Sequence, residues 1–192
     1  MTDWMDSFTN ISRENKLLGQ RTIFLTEAVT PESAARVVAD LILLDAEKKA
    51  PIYLYINSPG GEVNSGFSIF DTIRFLRSDV IALTIGMCAS IATIINVAVK
   101  KEHRLSLPNA KFLIHQPLIS GQVQGPASDI AITAAQIQKT RDKINALLAE
   151  ECGQAIKRLE EDTKRDYWLT ANEALEYGLI SKIISSKTEL TI

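Results

Sequence analysis

The chain has 192 residues, of which 46% are hydrophobic and 23% charged, enough for one domain with a sizeable core and too apolar for a disordered segment. Twenty-one Lys and Arg against 23 Asp and Glu leave a net charge of −2, so there is no basic field for phosphates and nucleic-acid binding is not expected. The two cysteines, Cys88 and Cys152, lack the CxxC or Cys/His spacing of a metal site and read as buried thiols in a reducing compartment.

Residues 1–16 show no apolar period and carry Asp3 and Asp6 where a secretory leader has basic residues. They read as an N-terminal arm, residues 17–192 as a single domain, and a cytoplasmic location is expected. Arg21 to Leu25 predicts a short strand, and Thr30-Pro31-Glu32 opens a helix with a cap, a preset φ and a favourable first-turn charge. Ile52 to Ile56 is a second, β-rich run. It ends in Asn57-Ser58-Pro59-Gly60-Gly61, a sharp turn whose glycines leave backbone N–H groups open to a close ligand, although an ordinary turn uses the same residues. A helix at about Asn64 to Leu76 follows.

The same order of strand, small-residue turn and helix recurs from Val80 to Val99. This stretch is uncharged and long enough to cross a bilayer, but Thr84, Gly86, Cys88, Ser90, Thr93 and Asn96 dilute its hydropathy, and a buried strand, turn and helix accounts for it better. The strand is expected at Val80 to Ile85, the turn at Gly86-Met87-Cys88-Ala89-Ser90 and the helix at Ile91 to Val99. Ser90 then sits at a helix N-terminus, where it is either a simple N-cap or a nucleophile with oxyanion donors nearby. The surrounding residues are not the Gly-x-Ser-x-Gly elbow. Two such turns can meet at one edge of a sheet, the edge where layered α/β proteins place ligands.

Beyond Arg104 to Leu107, a strand, the run Lys111 to Pro117 contains His115. His103 lies among Lys100, Lys101, Glu102 and Arg104, a surface-like segment, which makes His115 the better general base if a serine is to be activated. Ile119 to Ala127 is loop or hairpin material, followed by a long helix from about Ser128 to Glu150. A charged helical segment follows Gly153, Thr170-x-x-Glu173 is a capping box for a helix ending near Gly178, and Leu179 to Ile184 reads as a last strand. With 23 acidic residues, nothing in the pattern selects a carboxylate partner for His115.

In this order, Asn57-Ser58-Pro59-Gly60-Gly61, Gly86-Met87-Cys88-Ala89-Ser90, Leu107-Pro108-Asn109, Ile114-His115-Gln116-Pro117, Arg165-Asp166 and Glu176-Tyr177-Gly178-Leu179 resemble the proteolytic subunit of the caseinolytic (Clp) protease, over roughly Leu17 to Ile184. The resemblance implies an α/β, crotonase-like fold of repeated ββα units with a projecting hairpin and long helix, residues 116–150, as a handle for ring-to-ring contact. It implies a serine endopeptidase with Ser90, His115 and Asp166 as triad and the N–H groups of Gly61 and Ile91 as oxyanion hole. It further implies two stacked heptameric rings enclosing a chamber, unfolded proteins as substrates, and an ATP-driven AAA+ unfoldase docked at Tyr53, Tyr55, Leu83 and Leu107. No cofactor is expected in this chain: it has no Gly-x-x-x-x-Gly-Lys-Ser/Thr, so ATP belongs to the partner.

Some positions depart from the family pattern. Cys88 stands for the usual Ala, Ile91 for Met, Leu105 for an aromatic and Lys164 for an acidic residue, while Pro126 interrupts the handle loop and removes a donor where opposed rings would pair. The intact residue types beside altered contacts suggest a subunit that works with a related second proteolytic subunit. Two other classes keep parts of the pattern: a ring member without activity of its own, and a crotonase-type acyl-CoA enzyme that retains the oxyanion turns without a Ser-His-Asp set.

Overall fold

The computed structural model describes residues 15–119, 121 and 124–190. Most of the arm expected at 1–16 lies outside the described residues. Strand β1 (Thr22–Leu25) leads to helix α1 (Pro31–Glu47), whose first turn is closed by the Thr30 hydroxyl accepting from Ser33 N–H at 3.2 Å, with Pro31 preset for the helix. Strand β2 (Ile52–Ser58), helix α2 (Val63–Phe75), strand β3 (Val80–Ala89) and helix α3 (Ile91–Ala98) repeat the pattern. Strands β4 (Arg104–Ser106) and β5 (Lys111–Ile114) follow, then the long helix α4 (Ala127–Cys152), helix α5 (Ile156–Asp162), strand β6 (Tyr167–Thr170), helix α6 (Ala171–Tyr177) and strand β7 (Lys182–Ile183).

The sheet runs β1-β2-β3-β4-β7, all parallel, and β3 is its spine. Its first half pairs with β4, Ala82 to Thr84 against Arg104 to Ser106; its second half pairs with β5, Met87 to Ala89 against Lys111 to Leu113. Strand β6 then adds antiparallel to β5. The turn expected at Gly86 to Ser90 is therefore mostly strand. Met87, Cys88 and Ala89 stay extended because β5 supplies a second ladder partner where β4 stops, and the reversal is compressed into Ser90. A register shift between Ile56 and Ser58 accommodates the change, with Asn57 Oδ1 accepting from Met87 N–H at 3.0 Å.

Alternation along the strands sends side chains to two faces. Ile52, Leu54 and Ile56 join the main core with the α1 to α3 side, whereas Tyr53 and Tyr55 meet Leu83, Leu105, Ile184 and Leu190 in a smaller cluster on the other face. The expected last strand shrinks to Lys182 and Ile183, because Leu179 is taken up in the C-cap: Gly178 is left-handed (φ 94°) and Leu179 N–H donates to Ala174 O at 2.9 Å. His103, expected on the surface, is buried, because a short 3-10 turn, Lys101–His103, folds it inward before β4.

Helix α3 is buried along its whole length, so its ends need partners inside the protein. Arg104 Nε donates to Val99 O at 2.9 Å and its Nη2 to Val97 O at 2.9 Å, while Arg74 Nε donates to Ala98 O at 2.7 Å. Both guanidiniums pair with Glu151 on α4, and Arg104, only 1% exposed, depends on that carboxylate for its counter-charge. Cations suit this end of the helix dipole. Burial opposes the charge on Glu151, but hydrogen bonds from Arg74 and Arg104 hold its carboxyl below its ordinary value of 4.5.

A carboxyl depressed in the folded state contributes stability above its unfolded value and loses it as pH falls through the folded value. Glu151→Gln should therefore melt below the wild type at pH 7, with the gap closing as the solution is acidified below about pH 4.5. Thermal melts of both proteins across pH 3 to 7 (roughly the carboxylate range) read this directly.

Candidate active site

Register explains how three distant residues meet. Ala89 of β3 pairs with Leu113 of β5, and Ile114 of β5 pairs with Tyr167 of β6. One step further along these ladders lie Ser90, His115 and Asp166, at the ends of three neighbouring strands. His115 Nε2 is 2.8 Å from Ser90 Oγ, and His115 Nδ1 is 2.9 Å from Asp166 Oδ1. Sequence reasoning missed β6 as a strand, and the pairing that sets Asp166 beside His115 joins segments far apart in the chain.

Ser90 is not a simple cap. Its backbone sits at φ 56°, ψ −126°, a strained conformation for a residue with a Cβ, and its hydroxyl makes no capping bond. The strain is held by neighbours: Ser90 N–H donates to Leu113 O at 2.8 Å, and Thr93 bonds Ser90 O through its N–H (3.0 Å) and hydroxyl (2.6 Å). That conformation turns Oγ toward His115 instead of toward the helix N-terminus.

Gly60 is pressed against this turn. A Cβ there would lie 2.5 Å from Ala89 O and 2.7 Å from Ser90 Cβ, and its φ is +84°. Next to it, Gly61 bridges Val29: Val29 N–H donates to Gly60 O at 2.9 Å and Glu62 N–H to Val29 O at 2.8 Å. In a parallel bridge those bonds occupy the flanking groups, so the N–H of Gly61 faces away from Val29. Ile91, as the first residue of α3, has no intrahelical acceptor for its N–H. Both expected oxyanion donors thus stand without a partner among the described residues, on turns that touch each other.

The carboxylate end is held more loosely. The Asp166 side chain is 63% exposed against 18% for His115. The segment before it is tied down by Gln116, whose N–H donates to Thr163 O at 2.6 Å and whose Nε2 donates to Lys164 O at 3.0 Å. Thr163 in turn donates to the buried Asn145 Oδ1 of α4 at 3.0 Å. The Lys164 ammonium pairs with Glu161 on the surface, and Pro126 stands at the entry to α4.

Of the expected docking residues, Tyr53, Tyr55 and Leu107 are half-buried and Leu83 is only 5% exposed. Tyr55 stacks on Phe24 with ring centres 5.1 Å apart, and the two tyrosines border a cavity of about 230 Å³ shared with Lys187 and Leu190. Among the described residues no group of three or more His, Cys, Asp or Glu is placed to hold a metal. Cys88 and Cys152 are free and buried, and desolvation pushes both thiols up, Cys152 to about 11. No described helix is long and apolar enough to cross a membrane.

A mostly parallel α/β sheet that carries a hydroxyl, an imidazole and a carboxylate in one line of hydrogen bonds at its edge has the crotonase-like fold. The Clp protease family model matches residues 6–187, and the chain belongs to that family. Proteolytic subunit 2 of the ATP-dependent Clp protease of Treponema pallidum is 44% identical over 176 residues, 91% of this chain and 87% of the relative. The subunit of the same name from Pseudomonas aeruginosa is 45% identical over 172 residues, 90% of this chain and 85% of the relative. The solved structure of a point mutant of ClpP1 from Listeria monocytogenes has a TM-score of 0.85 and 38% identity, covering 92% of this chain and 98% of that one. The chain is accordingly a proteolytic subunit of Clp type, and its activity is peptide hydrolysis in ATP-dependent protein degradation.

Gly60→Ala tests the contact between the two turns. Because its Cβ would displace Ala89 or Ser90, the variant should fold yet lose about 10²-fold in kcat, the scale of a 1 Å misplacement of a reacting group. Peptide hydrolysis assays alongside circular dichroism would check both halves of this expectation.

Proposed function

We propose that this subunit is a serine endopeptidase in which Ser90 is the nucleophile, His115 the general base and Asp166 the residue that orients it. The observation that carries this reading is the unbroken line from Ser90 Oγ through His115 Nε2 and Nδ1 to Asp166 Oδ1. His115 takes the Ser90 proton as Oγ attacks a peptide carbonyl, and returns it to the leaving amine. Asp166, accepting from Nδ1–H, fixes the tautomer that leaves Nε2 as acceptor and steadies the imidazolium. The tetrahedral oxyanion is received by the N–H groups of Gly61 and Ile91, and water then hydrolyses the acyl-enzyme through the same histidine.

The assembly follows from family and surface. Residues 116–150 are read as the handle of two stacked heptameric rings enclosing the active sites, homomeric or mixed with a related second proteolytic subunit. Support comes from α4, whose buried residues all lie at or beyond Ile144, while Ile130 and Ile132 are exposed and face no part of this protomer's core. Unfolded polypeptide is supplied by an AAA+ unfoldase that consumes the ATP and docks over Tyr53, Tyr55, Leu83 and Leu107. The subunit is placed in the cytoplasm, where a chamber keeps hydrolysis away from folded proteins. The half-buried tyrosines beside an open cavity support the docking surface.

Intact mass after treatment with a fluorophosphonate tests the chemistry. The expected outcome is one adduct on the wild type and none on Ser90→Ala, with assembly size measured on both. An unlabelled double ring would overturn autonomous catalysis and favour a structural ring member; an unlabelled smaller species would point to a missing second subunit. In the labelled assembly, Asp166→Asn should lower kcat by up to about 10⁴-fold, the scale of losing the correct tautomer.

A further inference from the structure

The two faces of the sheet are covered differently. Helices α1 to α3 pack on the side of Ile52, Leu54 and Ile56, while Tyr53 registers with Ile81, and Tyr55 with Leu83 and Leu105, in an apolar row on the other side. A parallel sheet ordinarily has both faces buried. On this second face Leu190, 8% exposed, packs in one cluster with Ile81, Leu83, Leu105 and Ile184. Among the described residues it is the one buried member of that cluster that no strand or strand end supplies.

Leu190 is held there lightly. It arrives on a short 3-10 turn, Lys187–Leu190, that begins beyond the last ladder contact, Ile184 N–H donating to Ser106 O at 2.9 Å. The turn is closed by its own neighbours: Glu189 Oε1 accepts from Ser186 N–H at 2.8 Å, from Ser185 N–H at 3.0 Å and from the Ser185 hydroxyl at 3.3 Å. Ser185, Ser186, Lys187 and Thr188 are exposed, so the burial of the segment is concentrated in Leu190. Segments with few buried contacts open at low free-energy cost. Beside Leu190 the face is already open, as the cavity bounded by Thr22, Tyr53, Tyr55 and Lys187.

We propose that this turn is a built-in plug of the docking surface. In the free subunit Leu190 fills the place that an apolar side chain of the unfoldase takes in the complex, and Glu189 is the catch that keeps the turn closed. Resting on the docking surface read above, the plug regulates it: the apparent dissociation constant is the intrinsic one divided by the fraction of subunits in which the turn is open. The plug also keeps an apolar sheet face from water, and from unwanted contacts, until a partner arrives.

The test uses the full-length assembled subunit with two readouts. Anilinonaphthalene sulfonate, a dye that fluoresces on exposed apolar surface, reports access to the face without any partner. The concentration of unfoldase that gives half-maximal hydrolysis of an unfolded protein reports docking. In Leu190→Ala, checked for fold by circular dichroism and for assembly size, the dye should bind about tenfold more tightly, and half-maximal hydrolysis should need about tenfold less unfoldase. Glu189→Ala, which frees the turn but keeps every apolar side chain, should move both readouts in the same direction by less. It covers the case in which Leu190→Ala does not fold.

Unchanged dye affinity in both variants overturns the plug, whatever docking does, because Leu190 is then fixed core. Tighter dye binding with weaker docking overturns the competition, since the partner then uses Leu190 as a contact. Tighter dye binding with unchanged docking places the partner elsewhere, and overturns the docking surface and the competition together.

Discussion

The site depends on a mismatch of strand lengths. Strand β3 has ten residues and β4 only three, so β3 outruns its neighbour and its last residues are left without a ladder. Unpaired backbone in a buried strand is costly, and β5 fills the gap. By pairing with the end of β3 instead of its middle, β5 brings His115 level with Ser90, and β6 extends the same edge to Asp166. A β4 four residues longer would, in the same register, compete for Met87 and Cys88 and remove the place where β5 docks. The line from Ser90 to Asp166 is thus a property of the sheet's edge, and three strand ends position it more firmly than three loops would.

The second constraint is helix α3, which carries the strained Ser90 at one end and is anchored at the other. A helix buried on all sides cannot leave its last carbonyls to water, and Arg74 and Arg104 take them instead. The two guanidiniums also put positive charge at the negative end of the dipole, while the positive end lies at Ser90. Glu151 is needed because Arg104 is buried and an unpaired charge there would be expensive. Since Glu151 belongs to the last turn of α4, the helix that begins after Ser90 and α4 are joined through one carboxylate. Asn145, bonded to Thr163 near the Asp166 segment, gives α4 a second hold on the same edge.

Much of this was legible in the sequence. The repeated strand-turn-helix order, the cap at Thr30, the capping box at Thr170 and the C-cap at Gly178 are local features, encoded within a few residues, and they appear where the pattern puts them. Ser90 and His115 could be nominated because each ends an apolar run. Asp166 could only come from family likeness, since its position depends on an antiparallel pairing between segments more than fifty residues apart. The same limit explains His103 and Gly86 to Ala89. Whether a mixed polar segment turns inward, or a small-residue stretch stays extended, is decided by a neighbour that sequence order does not reveal.

The unequal burial of His115 and Asp166 gives the remaining step. His115 is mostly enclosed, whereas Asp166 faces open space of about 450 Å³ shared with Arg165, Lys164 and Leu118. A carboxylate in water supports an imidazolium weakly, because the effective dielectric is high and the side chain is free to rotate away. Covering that space would strengthen the interaction without moving any of the three side chains. The line from Ser90 to Asp166 is thus closed in at its serine and imidazole end and open at its carboxylate end, beside the start of the 116–150 segment.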